Sequence, residues 1–146
     1  MSNYKTDQEV FWSGKFGDDY SERNVGSDWV ASNTAFFSEV LSHTRDIQSV
    51  IEFGSNVGLN LKALKNLLPH AKYSAIEINK NAVDTLKEMN LVDDVFHQSI
   101  LDFIPLRKKY DLVLIKGVLI HINPDELFNV YEKLYQSCGR YLLIAE

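Results

Sequence analysis

The sequence predicts an α/β fold: a doubly wound, mostly parallel sheet of about five strands with helices on both faces. Three observations predict it. Apolar runs of strand length alternate with helical patterns along most of the 146 residues. The first of these runs, Val50-Ile51-Glu52-Phe53, passes through Gly54 and Gly58 into a helical pattern. About 20 residues past Gly58 a second apolar strand ends in an acid, Glu77, the spacing by which such folds hold a ribose.

Taken in order, the first 26 residues read as irregular, rich in Gly, Asp and aromatics. Helical spacing begins at about Asp28 and runs to Ser42, with Phe36, Phe37, Val40 and Leu41 on one face. Strand one is Ser49 to Phe53. The helix after Gly58 carries Leu61, Leu64, Leu67 and Leu68, and Pro69 ends it. Strand two is Tyr73 to Ile78, and a short helix, Asn81 to Met89, turns Val83 and Leu86 inward. Strand three, Asp94 to Gln98, is weaker. Leu112 to Ile115 is a continuous apolar run, as expected of a strand buried on both faces. Asn123-Pro124-Asp125-Glu126 reads as a helix start, with Asn as cap and Pro at the first helical position. The helix that follows should bury Leu127, Val130, Tyr131, Leu134 and Tyr135. Strand five, Tyr141 to Ala145, closes a Rossmann-like sheet. It is apolar on both faces, yet nothing follows to pair with its outer edge, an arrangement proteins normally avoid. Either a second chain covers that edge, as in a homodimer, or the sequence is a fragment.

The chain is one domain, residues 1–146, long enough to bury roughly two thirds of its unfolded surface. Its 45% hydrophobic and 24% charged content is that of a globular protein. A net charge of -5 argues against nucleic acid as a partner. No apolar run approaches the roughly 20 residues that span a bilayer. Met1 to Gln8 lacks the apolar core of a signal peptide. Cys138, the only cysteine, cannot form an intrachain disulfide, which suits a reducing cytoplasm. No cluster has metal-ligand spacing.

Glu52 sets the ligand chemistry. At the carboxyl edge of strand one it repels a pyrophosphate and attracts a ligand carrying an ammonium and a sulfonium. S-adenosylmethionine is such a ligand. The glycines agree: a pyrophosphate loop needs G-x-G-x-x-G, and this chain has Gly54-Ser55-Asn56-Val57-Gly58-Leu59. A dinucleotide oxidoreductase is disfavoured by Glu52 and Leu59. Gly54 and Gly58 allow close backbone approach, Glu52 offsets the donor's amino group, and Glu77 faces the two ribose hydroxyls with two acceptor oxygens.

These residues resemble the class I S-adenosylmethionine-dependent methyltransferases. More narrowly they resemble the methylases associated with pseudaminic (nonulosonic) acid biosynthesis. The narrower resemblance rests on Phe11-Trp12-Ser13-Gly14-Lys15-Phe16-Gly17-Asp18-Asp19-Tyr20, on Arg23-Asn24, on Gly54 to Leu61, and on Lys116-Gly117-Val118-Leu119-Ile120-His121-Ile122-Asn123-Pro124. It covers nearly the whole chain. Asn56 stands where methyltransferases generally place a middle glycine, and the family fold continues with two more strands that this chain lacks. The resemblance implies a methyltransferase acting on a small molecule, a sugar or sugar nucleotide of surface glycan synthesis. The alternative is a truncated, non-catalytic donor-binding module acting through oligomerisation or a partner.

The same resemblance implies that Ile78 flanks the adenine and that Ser99 and Ile100 touch it. It sets Lys116 and Gly117 beside the emerging methyl. Lys116 is then either a donor to the acceptor molecule or a solvated lysine. His121, with an unperturbed pKa near neutrality, is either a general base or a packing residue. In residues 1–26, Trp12, Phe16 and Tyr20 form a lid and Arg23 clamps the methionine carboxylate, or the aromatics pack on the sheet and Arg23 is solvated.

Overall fold

The computed structural model describes residues 4–146. In chain order the elements are α1 (Asp7–Ser13), α2 (Lys15–Arg23), α3 (Ser27–Leu41), β1 (Ser49–Phe53), α4 (Leu59–Leu67), β2 (Lys72–Glu77), α5 (Lys80–Glu88), β3 (Asp94–His97), β4 (Tyr110–Lys116), α6 (Leu127–Ser137) and β5 (Cys138–Ala145). Two 3-10 turns, Leu119–His121 and Pro124–Glu126, lie between β4 and α6. The strands form one sheet in the order β3-β2-β1-β4-β5, and every pairing is parallel. The doubly wound reading is therefore correct. The chain leaves β1 towards β2 on one side, while β4 pairs on the other. That reversal opens a crevice at the carboxyl ends of β1 and β4, where ligands of such sheets bind.

The sheet is covered on both faces because its central strands are apolar on both. On one face Val50, Tyr73, Ala75, Leu112 and Leu114 pack with Phe37 of α3, Leu61 and Leu64 of α4 and Leu86 of α5. On the other, Ile51, Phe53, Ile76, Val113 and Ile115 pack with Val130 and Leu134 of α6 and with Ile100, Leu101 and Phe103. Each such large aliphatic, fully buried, contributes about 1.5–3 kcal/mol relative to exposure. Gly58 begins α4 at φ 78°, and a Cβ there would meet Leu86 Cδ2 of α5 at 2.7 Å. The glycine thus serves helix-to-helix packing as well as the turn.

Four expectations need correction. Residues within 1–26 are not irregular: α1 and α2 are helices, and α1 starts at a capping box. In that box Thr6 Oγ1 accepts from Glu9 N and the Glu9 carboxylate accepts from Thr6 N. Met1 to Asn3 lie outside the described residues. Phe36 is part-exposed rather than inward. Tyr131 and Tyr135 are exposed (44% and 73%), because α6 covers the sheet through a narrow Val130–Leu134 stripe. Asn123 does cap, accepting from Asp125 N, but a 3-10 turn precedes the α-helix. On β5, Leu142 and Ile144 are 40% and 45% exposed, so a strand whose pattern suits the inside of a sheet lies at its border.

Candidate functional site

A cavity of about 280 Å³ lies at the crevice. Its floor is the Gly54–Val57 turn and the ends of β2 and β4; residues of α1 and α2 roof it. Gly54 has φ 77°, and a Cβ there would meet Val118 Cγ2 at 2.8 Å, so only glycine lets the β1 turn nest against the segment after β4. Asn56 also has positive φ (46°), a conformation that Asn tolerates better than most residues. Its side chain accepts from Ser21 Oγ of α2 at 2.6 Å. That bond ties the roof to the floor.

Two buried carboxylates flank the turn. Glu77 holds it: Oε2 accepts from Asn56 N (2.7 Å) and Oε1 from Asn79 N (2.8 Å). The Ile78 backbone N–H also donates to this carboxylate, and of its roughly four acceptor sites one remains for a ribose hydroxyl. Burial pushes the Glu77 carboxyl above its usual range, against the pull of these backbone donors. Glu52 is fully buried on β1, level with Ala75 and Leu114. Asn60 Nδ2 donates to its Oε1 at 2.7 Å. Glu52 Oε2 and Asn60 Oδ1 are buried with no hydrogen-bond partner among the described residues. Burial pushes the Glu52 pKa up to about 8, opposed by Asn60 and Lys116 and reinforced by Glu77.

Of the residues singled out in the sequence, Gly54, Ser55, Asn56, Glu77, Ile78, Ser99, Ile100, Lys116, Gly117, His121 and Tyr20 line the cavity together. Glu52 and Gly58 stand behind its lining, and Glu52 is joined to it by Asn60. Arg23 lies apart: it is exposed and its Nε donates to Asp19 O in its own helix. Lys116 Nζ sits 5.9 Å from the Phe36 ring centre. His121 packs its ring 4.7 Å from Trp12, which meets Tyr20 and Phe16 edge-on, each at 5.2 Å. The aromatics thus join α1 and α2 to the segment after β4.

Three contributors escaped the sequence reading. Asn79 is 2% exposed; it caps α5 by accepting from Ala82 N and donates to Asp18 Oδ1 and Trp12 O. Asn60 orients Glu52. Glu146 accepts from the N–H groups of Val118, Leu119 and Ile120 (3.1, 3.1 and 3.2 Å) and so fixes the turn that carries His121. The only readable signal among these was Asn79 as a helix cap. Among the described residues, no group of three or more His, Cys, Asp or Glu is placed to hold a metal ion, and no helix is long and apolar enough to cross a membrane.

No family model matches the sequence, and no curated protein matches it. Solved structures do match the fold. The plantazolicin methyltransferase BpumL, in complex with S-adenosylhomocysteine, superposes with a TM-score of 0.74 at 18% identity, over 94% of this chain and 56% of that one. An S-adenosylmethionine-dependent methyltransferase of Leishmania major gives 0.73 at 14%, over 96% and 64%. Magnesium protoporphyrin IX methyltransferase (ChlM) of Synechocystis PCC 6803, with bound S-adenosylmethionine, gives 0.69 at 15%, over 98% and 77%. The chain thus has the Rossmann-like fold found in S-adenosylmethionine-dependent methyltransferases. It spans little more than half the length of the plantazolicin enzyme.

Proposed function

We propose that this chain binds S-adenosylmethionine in the cavity between β1, β2 and β4 and directs its methyl group to a small-molecule acceptor. The observation that carries this reading is the pair of buried carboxylates at the ends of β1 and β2. Glu52, with an unpartnered Oε2 and an unpartnered Asn60 Oδ1 beside it, suits a cationic amino-acid head and opposes a pyrophosphate. Glu77, a carboxylate with acceptor capacity left beyond its three backbone donors, suits a ribose. The residues present therefore fit the group, and the fold neighbours that bind it have the same architecture.

Bound S-adenosylmethionine supplies a methyl carbon already activated by its sulfonium. The protein's work is then alignment, a contribution that can reach about 7–11 kcal/mol. Glu52 and Asn60 hold the amino-acid end, Glu77 holds the ribose, and Ile78, Ser99 and Ile100 enclose the base. Trp12 and Tyr20 exclude water from above. Lys116 donates to an oxygen of the acceptor. His121 accepts the proton that an acceptor hydroxyl gives up as its oxygen takes the methyl. Arg23 would have to leave Asp19 O to reach a carboxylate, so it has no place in this scheme.

For the acceptor we propose a sugar or sugar nucleotide of nonulosonic or surface-glycan synthesis, on the strength of the sequence resemblance. Donor labelled in its methyl group, offered with sugar nucleotides or with non-sugar acceptors, tests this: label should pass to the sugar nucleotides. A second reading, a donor-binding module without transfer, draws on the open β5 edge. Tight donor binding with no label transferred to any acceptor would favour it.

A further inference from the structure

Glu9 is a buried carboxylate in the roof of the cavity that donor binding, as described, leaves unused. It is 7% exposed. One oxygen, Oε2, accepts from Lys5 N, Thr6 N and Thr6 Oγ1 at 2.7, 2.8 and 3.2 Å. The other, Oε1, is buried and has no partner among the described residues, although Glu9 lines the cavity. A buried acceptor without a donor costs stability unless something supplies one.

The position of α1 shows which part of a ligand it meets. Lys5 Nζ, just before the helix, pairs with Asp102 Oδ1 at 2.6 Å. Near the other end, Trp12 O accepts from Asn79 Nδ2 at 3.3 Å. Asp102 follows β3 and Asn79 follows β2, so α1 bridges the gap between the ends of these strands. In the donor-site reading that gap holds the base. Two further observations complete the polar edge. The Ser99 hydroxyl already accepts from Leu101 N at 3.1 Å, and the Ile100 N–H has no partner among the described residues. The Ser99 O–H can still donate, and Gln8 Oε1, like Glu9 Oε1, is buried without a partner among the described residues. The gap therefore offers the Ile100 N–H and the Ser99 hydroxyl as donors and the Gln8 and Glu9 oxygens as acceptors, of which only that of Glu9 belongs to a carboxylate. An adenine edge presents the complement, a ring nitrogen that accepts and an exocyclic amine that donates.

We infer that Glu9 is a base-specificity residue: its free oxygen accepts from the exocyclic amine of the adenine, while the Ile100 N–H donates to the ring nitrogen beside it. The inference rests on the donor-site reading. It makes the N-terminal helix a reader of the base as well as a cover.

Glu9→Gln is the informative variant, because glutamine keeps the capping box while it can turn an amide N–H₂ towards the cavity. Wild-type and variant chains are titrated with S-adenosylhomocysteine, with the purine analogue that lacks the amine but keeps the accepting ring nitrogen, and with the inosine counterpart, in which a carbonyl replaces the amine and the ring nitrogen carries a hydrogen. Wild type should prefer the adenine compound by about tenfold or more, the scale of a hydrogen bond to a charged group. The variant should lose the preference for the adenine compound over the amine-free analogue, and keep only the part of the inosine discrimination that the Ile100 N–H supplies. Wild type alone should also lose about tenfold towards the purine analogue lacking the amine. An unchanged preference for the adenine compound over the amine-free analogue in Glu9→Gln, or equal binding of those two by wild type, overturns the inference and leaves the donor site standing. Failure of wild type to bind any of the three compounds overturns the donor site, and the inference with it.

Discussion

Burial keeps the Glu52 carboxyl protonated to about pH 8, so its ionisation is coupled both to folding and to ligand charge. The sign is fixed. A carboxyl whose pKa is raised on folding contributes its full stability below its unfolded value, near 4.5, and loses it as pH climbs towards 8. The ligand-free chain should therefore melt at falling temperature between pH 5 and pH 8, and Glu52→Gln should flatten that fall. Affinity for an ammonium-bearing ligand should run the other way between pH 6 and pH 8, rising as Glu52 ionises; equal slopes in wild type and Glu52→Gln would contradict this. Glu77 is shifted in the same direction, so a residual slope remains in the variant. Removing Glu77 has a structural cost that its sequence context did not reveal. Glu77→Ala should weaken S-adenosylhomocysteine binding about tenfold or more, and it also strands the Asn56 and Asn79 N–H groups, at about 1–3 kcal/mol each. A calorimetric melt and a titration on the same sample check both. Glu52 and Glu77 were legible because an acid ending an apolar strand breaks the local pattern. Ser21 on Asn56 was not, because its meaning depends on a partner 35 residues away.

The helices and strands of the sheet were readable to within three residues, the largest misses being the starts of α6 and β5, since apolar periodicity is set by burial against the sheet. Helices α1 and α2 were not. Their apolar residues are mostly aromatic and part-exposed at the cavity rim, so no clean stripe marks them. One signal was present: Thr6-Asp7-Gln8-Glu9 is a capping-box pattern. The turn after β4 was legible as a glycine turn, but its clamp was not, because Glu146 lies 28 residues from Val118. Losing that carboxylate should leave three N–H groups without an acceptor and release the turn that holds His121. Glu146→Ala should therefore speed amide exchange at Val118, Leu119 and Ile120 several-fold and lower transfer, while the affinity for S-adenosylhomocysteine stays within about twofold. In the proposed scheme Glu146 acts by holding the turn that carries His121, so a loss of donor affinity would count against a positioning role.

At the scale of the whole molecule, the parallel order β3-β2-β1-β4-β5 places an apolar strand at one border of the sheet. The alternation of strands and helices made that order readable. What covers β5 was not, because a border strand and a central strand share the same apolar pattern. Leu142 and Ile144 share one face of β5 and are both exposed, while Tyr141 and Leu143 pack on the core from the other; as the border strand, β5 also has an edge that seeks a partner strand. Light scattering of the 146-residue chain should find dimers or larger species that Leu142→Lys shifts towards monomer; a monodisperse wild-type monomer would show that the edge needs no cover. The central claim concerns which ligand the cavity takes. Glu52 as acceptor for an ammonium, Glu77 as acceptor for a ribose, and a turn with Asn56 and Leu59 where a dinucleotide loop has glycine should favour an amino-acid nucleoside over a pyrophosphate. Calorimetric titration of the chain with S-adenosylhomocysteine and, separately, with NAD measures this directly. Saturable binding of S-adenosylhomocysteine, at least about tenfold tighter than NAD, is the predicted result; equal or tighter binding of NAD would contradict it.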